Sequence, residues 1–336
     1  MATIKDVARV AGVSVASVSR VLNNGPKVSK ATIEKVTKVM QELNYSPNAN
    51  ARALVTQKST TLGVVIPDLV DPFFASLAQG VEQVARQKNM QLLLSTGLVS
   101  AETERQAINL LIERRCDVMV VHSKKLSDQS LIDLANKVPG LVLIDRYIKA
   151  IAHRCVWLDN LEGGKIAARH LLALEHKNFA CISSKYQIDD PLLRLKGFQD
   201  ELKSTGVMID DELIEFDEPT LQGGEIATQK LLASGKRFSA LFVYNDAMAI
   251  GAISTLEDNG FKVPSDISVL GFDDVLLSRY SRPKLSTLNY PVEEMATQAA
   301  NIGIELVSKQ PTNINDKNCK HIPRLVKRES TSFKMG

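Results

Sequence analysis

The chain has 336 residues, of which 44% are hydrophobic and 24% charged. At ~150 residues per domain this length suggests about two domains, and the composition excludes disorder, collagen and repeat arrays. No apolar run reaches the ~18 to 20 residues of a membrane span, and Asp6, Arg9 and Arg20 interrupt the small residues near the start; a soluble, non-exported, cytoplasmic protein with no membrane partner is expected. Cys116, Cys155, Cys181 and Cys319 lie far apart with no C-x-x-C pair, so packed, reduced thiols are expected and no metal site.

The net charge of +3 is unevenly placed. Residues 1–58 hold nine Lys or Arg against three acids, a balance of +6, which leaves the rest at −3. A basic head on a slightly acidic body suits a module that meets a polyanion, although a solvated basic face would have the same balance.

Thr3-Ile4-Lys5-Asp6 has the form of a capping box and predicts a helix start. Ile4, Val7, Ala8 and Ala11 then form one apolar stripe that stops at Gly12, a residue free to take the left-handed backbone of a sharp turn. Ser14 can cap a second helix with Val18, Val21 and Leu22 inward and Ala16, Ser17 and Arg20 outward. The short turn forces a steep crossing, the helix-turn-helix arrangement whose second helix enters the DNA major groove. A third helix is predicted from Ser29 to Leu43, with Ile33, Val36, Met40 and Leu43 inward, ended by Asn44.

Thr3 to Ala8, Ala11 to Ser14, Val18 to Asn23 and Leu43 to Asn48 resemble the signature of the LacI/GalR family of bacterial transcriptional regulators. Val15-Ala16, Asn48 to Leu54, Glu104 to Ile108 and Val275 to Tyr280 are similar to the galactose-responsive branch of that family, and the resemblance covers essentially the whole chain. It implies that the second helix touches bases. Arg20 has the fork for a guanine O6/N7 pair, and Val15 and Ala16 can only pack on a thymine methyl or exclude other groups. Ser14, Ser17, Ser19, Asn23 and Asn24 fit phosphate contacts, and Thr3 is placed with the DNA-binding residues as well. The resemblance further implies a hinge helix over 48–54, too short to be stable alone, capped by Asn48 and paired with its copy in a homodimer while Leu54 wedges into the minor groove.

From residue 61 onward β-rich runs alternate with helical patterns. Strands are predicted near Leu62–Ile66, Gln91–Leu94, Val118–Val121, Leu141–Ile144, Cys155–Leu158, Phe179–Ile182, Leu213–Phe216, Ala240–Val243 and Ile267–Leu270. Strict alternation implies parallel sheets covered on both faces, too many strands for one sheet, and therefore two lobes with a ligand cleft beyond the carboxyl ends of the strands. The expected fold is α/β: a small all-α head (1–58) joined by the hinge helix to a two-lobed core (61–330), which the resemblance implies to be of the periplasmic-binding-protein type with crossovers between the lobes. Lobe one takes about 61–158 plus 291–320, and lobe two about 159–288 plus 321–330.

A hexose needs paired hydrogen-bonding groups for its hydroxyls and an apolar plate for its face. Asp68, Asp71, His122, Arg194, Asn245-Asp246 and Asp273-Asp274 are the polar candidates at strand ends, and Phe73 or Phe74 the plate. The resemblance selects Phe73, Arg194, Asn245 and Asp273 as effector-binding, and Asp71 joins them. His122 fits a structurally satisfied histidine better than a sugar contact, Asp246 and Asp274 fit caps or loop braces, and Trp157 fits packing. Arg194 alone does not make the cleft basic enough for a phosphorylated sugar.

Catalytic readings fail on spacing. Gly163-Gly164-Lys165 lacks the Ser or Thr and the first glycine of a phosphate loop, no G-x-G-x-x-G follows the first strand, and His170 and His176 are six apart rather than four. The expectation is a DNA-binding protein without catalytic residues, cofactor or metal, and the resemblance implies a repressor bound as a homodimer to a pseudo-palindromic double-stranded operator and released by a sugar. The resemblance implies galactose as that sugar, and another sugar is the alternative.

Overall fold

The computed structural model describes residues 2–22, 25–26, 28–45, 61–308 and 319–334. Asn23, Asn24, Asn48, Leu54 and the predicted hinge helix lie outside the described residues. The chain divides into two compact units, Met1–Thr60 and Thr61–Gly336.

In the first unit, α1 (Ile4–Ala11) opens with the capping box: the Asp6 amide donates to the Thr3 hydroxyl oxygen, and the Thr3 amide donates to Asp6 Oδ2 at 3.0 Å. Gly12 closes it with φ of 62°, where a side chain would strain the backbone. Helix α2 (Val15–Leu22) follows at once, and the Ser17 amide donates to Ser14 Oγ at 3.1 Å. Helix α3 (Lys30–Glu42) is capped by Ser29 and stops before Asn44, at φ 47°. Val7, Ala8, Ala11, Val18, Val36 and Val39 form the core of this unit. The predicted inward stripe of α3 is corrected at one position: Ile33 is 43% exposed, and Val39 takes the buried place. Helices α1 and α2 have 8 residues each against 13 in α3, too short to cover its first turn.

The second unit holds two six-stranded sheets. The chain first lays down β1 (Thr61–Ile66), α4 (Pro72–Gln87), β2 (Gln91–Thr96), α5 (Ala101–Glu113), β3 (Val118–His122), α6 (Asp128–Lys137), β4 (Gly140–Ile144) and β5 (Cys155–Leu158). It continues through α7 (Asn160–Ala173), β6 (Phe179–Ser184), α8 (Asp189–Ser204), β7 (Ile214–Asp217), α9 (Leu221–Ala233), β8 (Ala240–Val243), α10 (Asp246–Asp258), β9 (Ser268–Asp273) and β10 (Ser286–Asn289). Helix α11 (Val292–Val307) and strands β11 (Lys320–His321) and β12 (Arg324–Val326) complete it. The sheet orders are β11-β5-β4-β3-β1-β2 and β12-β10-β9-β8-β6-β7. Strands such as β3 and β4 are buried at every residue, as helices on both faces of a parallel sheet require.

The chain crosses between lobes three times, after β5, after β10 and between β11 and β12. Helix α11 returns to lobe one, where Thr297 Oγ1 donates to the Gly80 carbonyl of α4 at 3.2 Å. Two details depart from the sequence reading. Strand β12 pairs antiparallel with β10, and β10 to β12 had no apolar run to announce them. Leu213 ends a 3-10 turn, so β7 begins one residue later.

The Gly163-Gly164 pair turns out to have a packing role. A Cβ on Gly164 would run into the Arg194 carbonyl, and one on Gly197 into the Leu161 carbonyl. Bare glycines thus let α7 and α8 cross in backbone contact, which fixes where the Arg194 side chain emerges.

Candidate functional site

Between the lobes lies a cleft of about 550 Å³ at the carboxyl ends of the strands. All five sequence-predicted effector residues, Asp71, Phe73, Arg194, Asn245 and Asp273, line it. Asp71 caps α4 by accepting from the Phe73 amide at 2.9 Å, and burial raises its carboxyl above the ordinary value. Phe73 stands edge-to-face against Phe74 and Tyr290, at centroid distances of 5.2 and 4.8 Å, and these rings form the apolar side.

Lobe two supplies a charged wall. Arg194 is buried; its Nε donates to Asn160 Oδ1 at 2.8 Å, and its Nη1 donates to the Tyr244 carbonyl at 2.7 Å and faces Asp273 Oδ1 at 3.4 Å. Its guanidinium lies 3.6 Å from the Phe272 ring centre, a stacked cation–π contact. Burial pushes the Asp273 carboxyl well up, against the pull of Arg194. Asn245 caps α10, accepting from the Met248 amide at 2.9 Å and donating Nδ2 to the Pro219 carbonyl at 3.1 Å.

The structure adds residues that the sequence reading missed. Lys124, just past β3, is half-buried with its side chain only 7% exposed, and its Nζ reaches Asp145 Oδ2 and Asp190 Oδ2, each at 2.7 Å, as well as the Asp145 carbonyl at 2.5 Å. Asp145 follows β4 in lobe one, whereas Asp190 opens α8 in lobe two, so one ammonium ties the lobes together. Burial by itself would raise the Asp145 carboxyl, yet Lys124 and His122 hold it below the ordinary range. Asp190 is raised by burial and by Asp145. Lys124 and Asp145 follow strand ends as the chosen residues do, which was the available signal; Tyr290 follows β10, a strand with no sequence signal.

The remaining candidates have structural partners. Asp246 accepts from Thr287 Oγ1 at 2.5 Å and from the Val275 amide at 2.9 Å, and burial pushes it up to about 8. Asp274 pairs with Arg328 and accepts from Asn289 Nδ2 at 3.1 Å. Asp68 Oδ1 accepts from the Val70 and Asp71 amides. Trp157 packs beside Tyr147 and under Lys320. Among the described residues the four cysteines are buried thiols, and none is in a disulfide.

On the head, Val15 is 41% exposed, and Ala16 and Arg20 are exposed on the same side of α2. Thr3 and Ser14 are exposed at the starts of α1 and α2; the Thr3 hydroxyl donates to Asp6 Oδ2 at 2.7 Å. Ser17, predicted to point outward, is half-buried with its Oγ 2.9 Å from Ser14 Oγ, and Ser19 is also half-buried. Val18 at the centre of the helix anchors the opposite side in the core. Among the described residues no group of His, Cys, Asp and Glu is arranged to hold a metal, and no helix is long and apolar enough to cross a membrane.

Comparison with known proteins agrees with a regulator built from these parts. The pattern of bacterial regulatory proteins of the lacI family matches residues 3–48, and that of a periplasmic binding protein-like domain matches 168–331. The chain is 47% identical over 334 residues to the HTH-type transcriptional regulator GalR of Salmonella typhimurium, covering 99% of this chain and 96% of the relative. It is 43% identical to GalS of the same species over 100% of this chain and 98% of the relative. The solved lac repressor dimer bound to operator and the anti-inducer ONPF superposes with a TM-score of 0.85 at 26% identity, covering 98% of this chain and 99% of that one. The chain belongs to the LacI family of bacterial transcriptional regulators. Its relatives are regulators, not enzymes.

Proposed function

We propose that the protein is a homodimeric, cytoplasmic repressor of galactose uptake or utilisation genes, which leaves a pseudo-palindromic operator when galactose enters the cleft. The carrying observation is the convergence of Asp71, Phe73, Arg194, Asn245 and Asp273 on one cavity of about 550 Å³, with acidic groups and aromatic rings together. Asp68, Asp71, Asp145, Asp190 and Asp273 line or border that cavity against Lys124 and Arg194, and both cations already face carboxylates. Such a cleft repels a phosphate and suits a neutral sugar. GalR and GalS, the named relatives, direct the choice of sugar towards galactose.

In the head, Arg20, Val15 and Ala16 read bases, while Thr3, Ser14, Ser17, Ser19 and Asn23 position the helix on phosphates. The hinge over 48–54, with Asn48 as cap and Leu54 as wedge, forms only in the operator-bound dimer. Sugar disfavours that form, and by linkage the operator weakens sugar binding by the same factor.

Operator titration at fixed salt, with and without galactose, tests the reading together with a thermal-shift screen of hexoses. Galactose should raise the melting temperature and lower operator affinity. Arg20→Ala should cost about 1–3 kcal/mol on the operator and less on random DNA. Equal losses on both sequences would remove Arg20 from base reading.

A further inference from the structure

Two buried side-chain atoms among the described residues have no hydrogen-bond partner, His122 Nδ1 and the Tyr290 hydroxyl. Both residues line the interlobe cleft, His122 at 6% exposure and Tyr290 at 3%. Buried polar groups are almost always satisfied, so two orphans on one cavity mark a place where something else completes them.

The chemistry of each orphan is fixed by its surroundings. His122 Nε2 stands 3.4 Å from Asp145 Oδ2. A carboxylate only accepts, so in the neutral ring the proton sits on Nε2 and Nδ1 presents a lone pair. The Phe74 ring, 5.2 Å away edge-to-face, holds the imidazole in place. Tyr290 is clamped against Phe73, and its buried hydroxyl has no hydrogen-bond partner. The cations are committed elsewhere: Lys124 Nζ donates to Asp145 and Asp190, and Arg194 to Asn160 and the Tyr244 carbonyl. What the cleft leaves open is therefore one acceptor and one hydroxyl beside an aromatic plate, a pair that a charged ligand does not need and a sugar hydroxyl matches.

We infer that His122 and Tyr290 form a specificity-determining subsite for a neutral polyol, in which a ring hydroxyl donates to His122 Nδ1 and the Tyr290 hydroxyl donates to a ligand oxygen. This rests on the sugar reading above and assigns two residues which that reading does not use.

Isothermal titration calorimetry on the full-length protein with galactose, other neutral hexoses and the monodeoxy galactoses tests it. His122→Phe and Tyr290→Phe should each weaken galactose binding about tenfold or more, the worth of one well-placed hydrogen bond in a dry site. His122→Asn, which returns an acceptor oxygen near the place of Nδ1, should recover most of the loss. At least one monodeoxy galactose that binds the wild type weakly should bind His122→Phe no worse than galactose does, a match that mere structural damage would not produce. Tyr290→Phe keeps the ring stack and decides the matter if His122→Phe does not fold. Wild-type binding of galactose with unchanged affinities in the variants overturns the subsite and leaves the sugar reading standing. Failure of the wild type to bind any neutral hexose overturns both.

Discussion

The two walls of the cleft are finished to different degrees. On lobe two Arg194 is held by Asn160, the Tyr244 carbonyl, Asp273 and the Phe272 ring, and Asn245 is spent on the Met248 amide and the Pro219 carbonyl. On lobe one His122 keeps an unpaired nitrogen, Tyr290, at the crossover after β10 and packed on that lobe's Phe73, keeps an unpaired hydroxyl, and Lys124 reaches across the gap for half of its partners. A wall whose groups satisfy one another is pre-organised, and altering it harms the fold together with the site. A wall whose groups look outward responds to what enters and to where the opposite lobe stands. The difference teaches that lobe two presents a fixed template and lobe one does the sensing.

The sharpest way to break this contrast is Arg194→Met. Removing the guanidinium leaves Asp273 buried without its cation and strands acceptors on Asn160 and Tyr244, so a loss of about 3–5 kcal/mol is expected in urea denaturation, along with loss of sugar binding. A variant that keeps its stability and loses only the sugar would show that the lobe-two wall is no scaffold. Next in size is the bridge between lobes. Lys124→Met and Asp190→Asn should each destabilise, and the double variant should lose about 1–3 kcal/mol less than the two single losses together, because the second change neutralises a carboxylate that the first leaves unpaired. Strict additivity in the same denaturation series would mean that Lys124 serves lobe one alone.

The same contrast explains what could be read from the residues without coordinates. Helix α1 was legible with its caps because Thr3, Asp6 and Gly12 act within one or two turns. Asp71, Phe73, Asn245 and Asp273 were legible as candidates because they lie at strand ends or helix starts, where an α/β sheet gathers its ligand groups, but the family resemblance singled out Phe73, Arg194, Asn245 and Asp273, and Arg194 lies in the second turn of α8. Strand β10 was not, since Ser286 and Thr287 are buried polar residues satisfied only by distant partners, the Ser330 hydroxyl, the Arg328 amide and Asp246. Tyr290 was lost with it. The tie from Lys124 to Asp190 joins positions 66 apart in sequence and depends on how the lobes close, which no local pattern encodes.

The smallest expected effect separates the stability of lobe two from its cleft. His170, on α7, is buried with its Nε2 3.1 Å from Thr331 Oγ1, and burial lowers its pKa from 6.5 to about 4. Because the folded value lies below the unfolded one, the unfolded chain binds more protons between about pH 4 and 6.5. This contribution is complete above that window and is lost as the pH falls through it. Asp246, pushed up to about 8 by burial, acts with the opposite sign, so the profile of the whole protein mixes the two and only a difference between variants isolates the histidine. His170→Gln keeps a hydrogen bond to Thr331 and does not titrate. The stability of the wild type relative to this variant should therefore fall by about 2 kcal/mol between pH 7 and 4, a figure reduced from the full shift for partial solvent screening. Galactose affinity at pH 7 should be the same in both proteins. A stability difference that does not vary with pH would remove His170 from the acid response, and a change in sugar affinity would show that the α7 end of lobe two is coupled to the cleft.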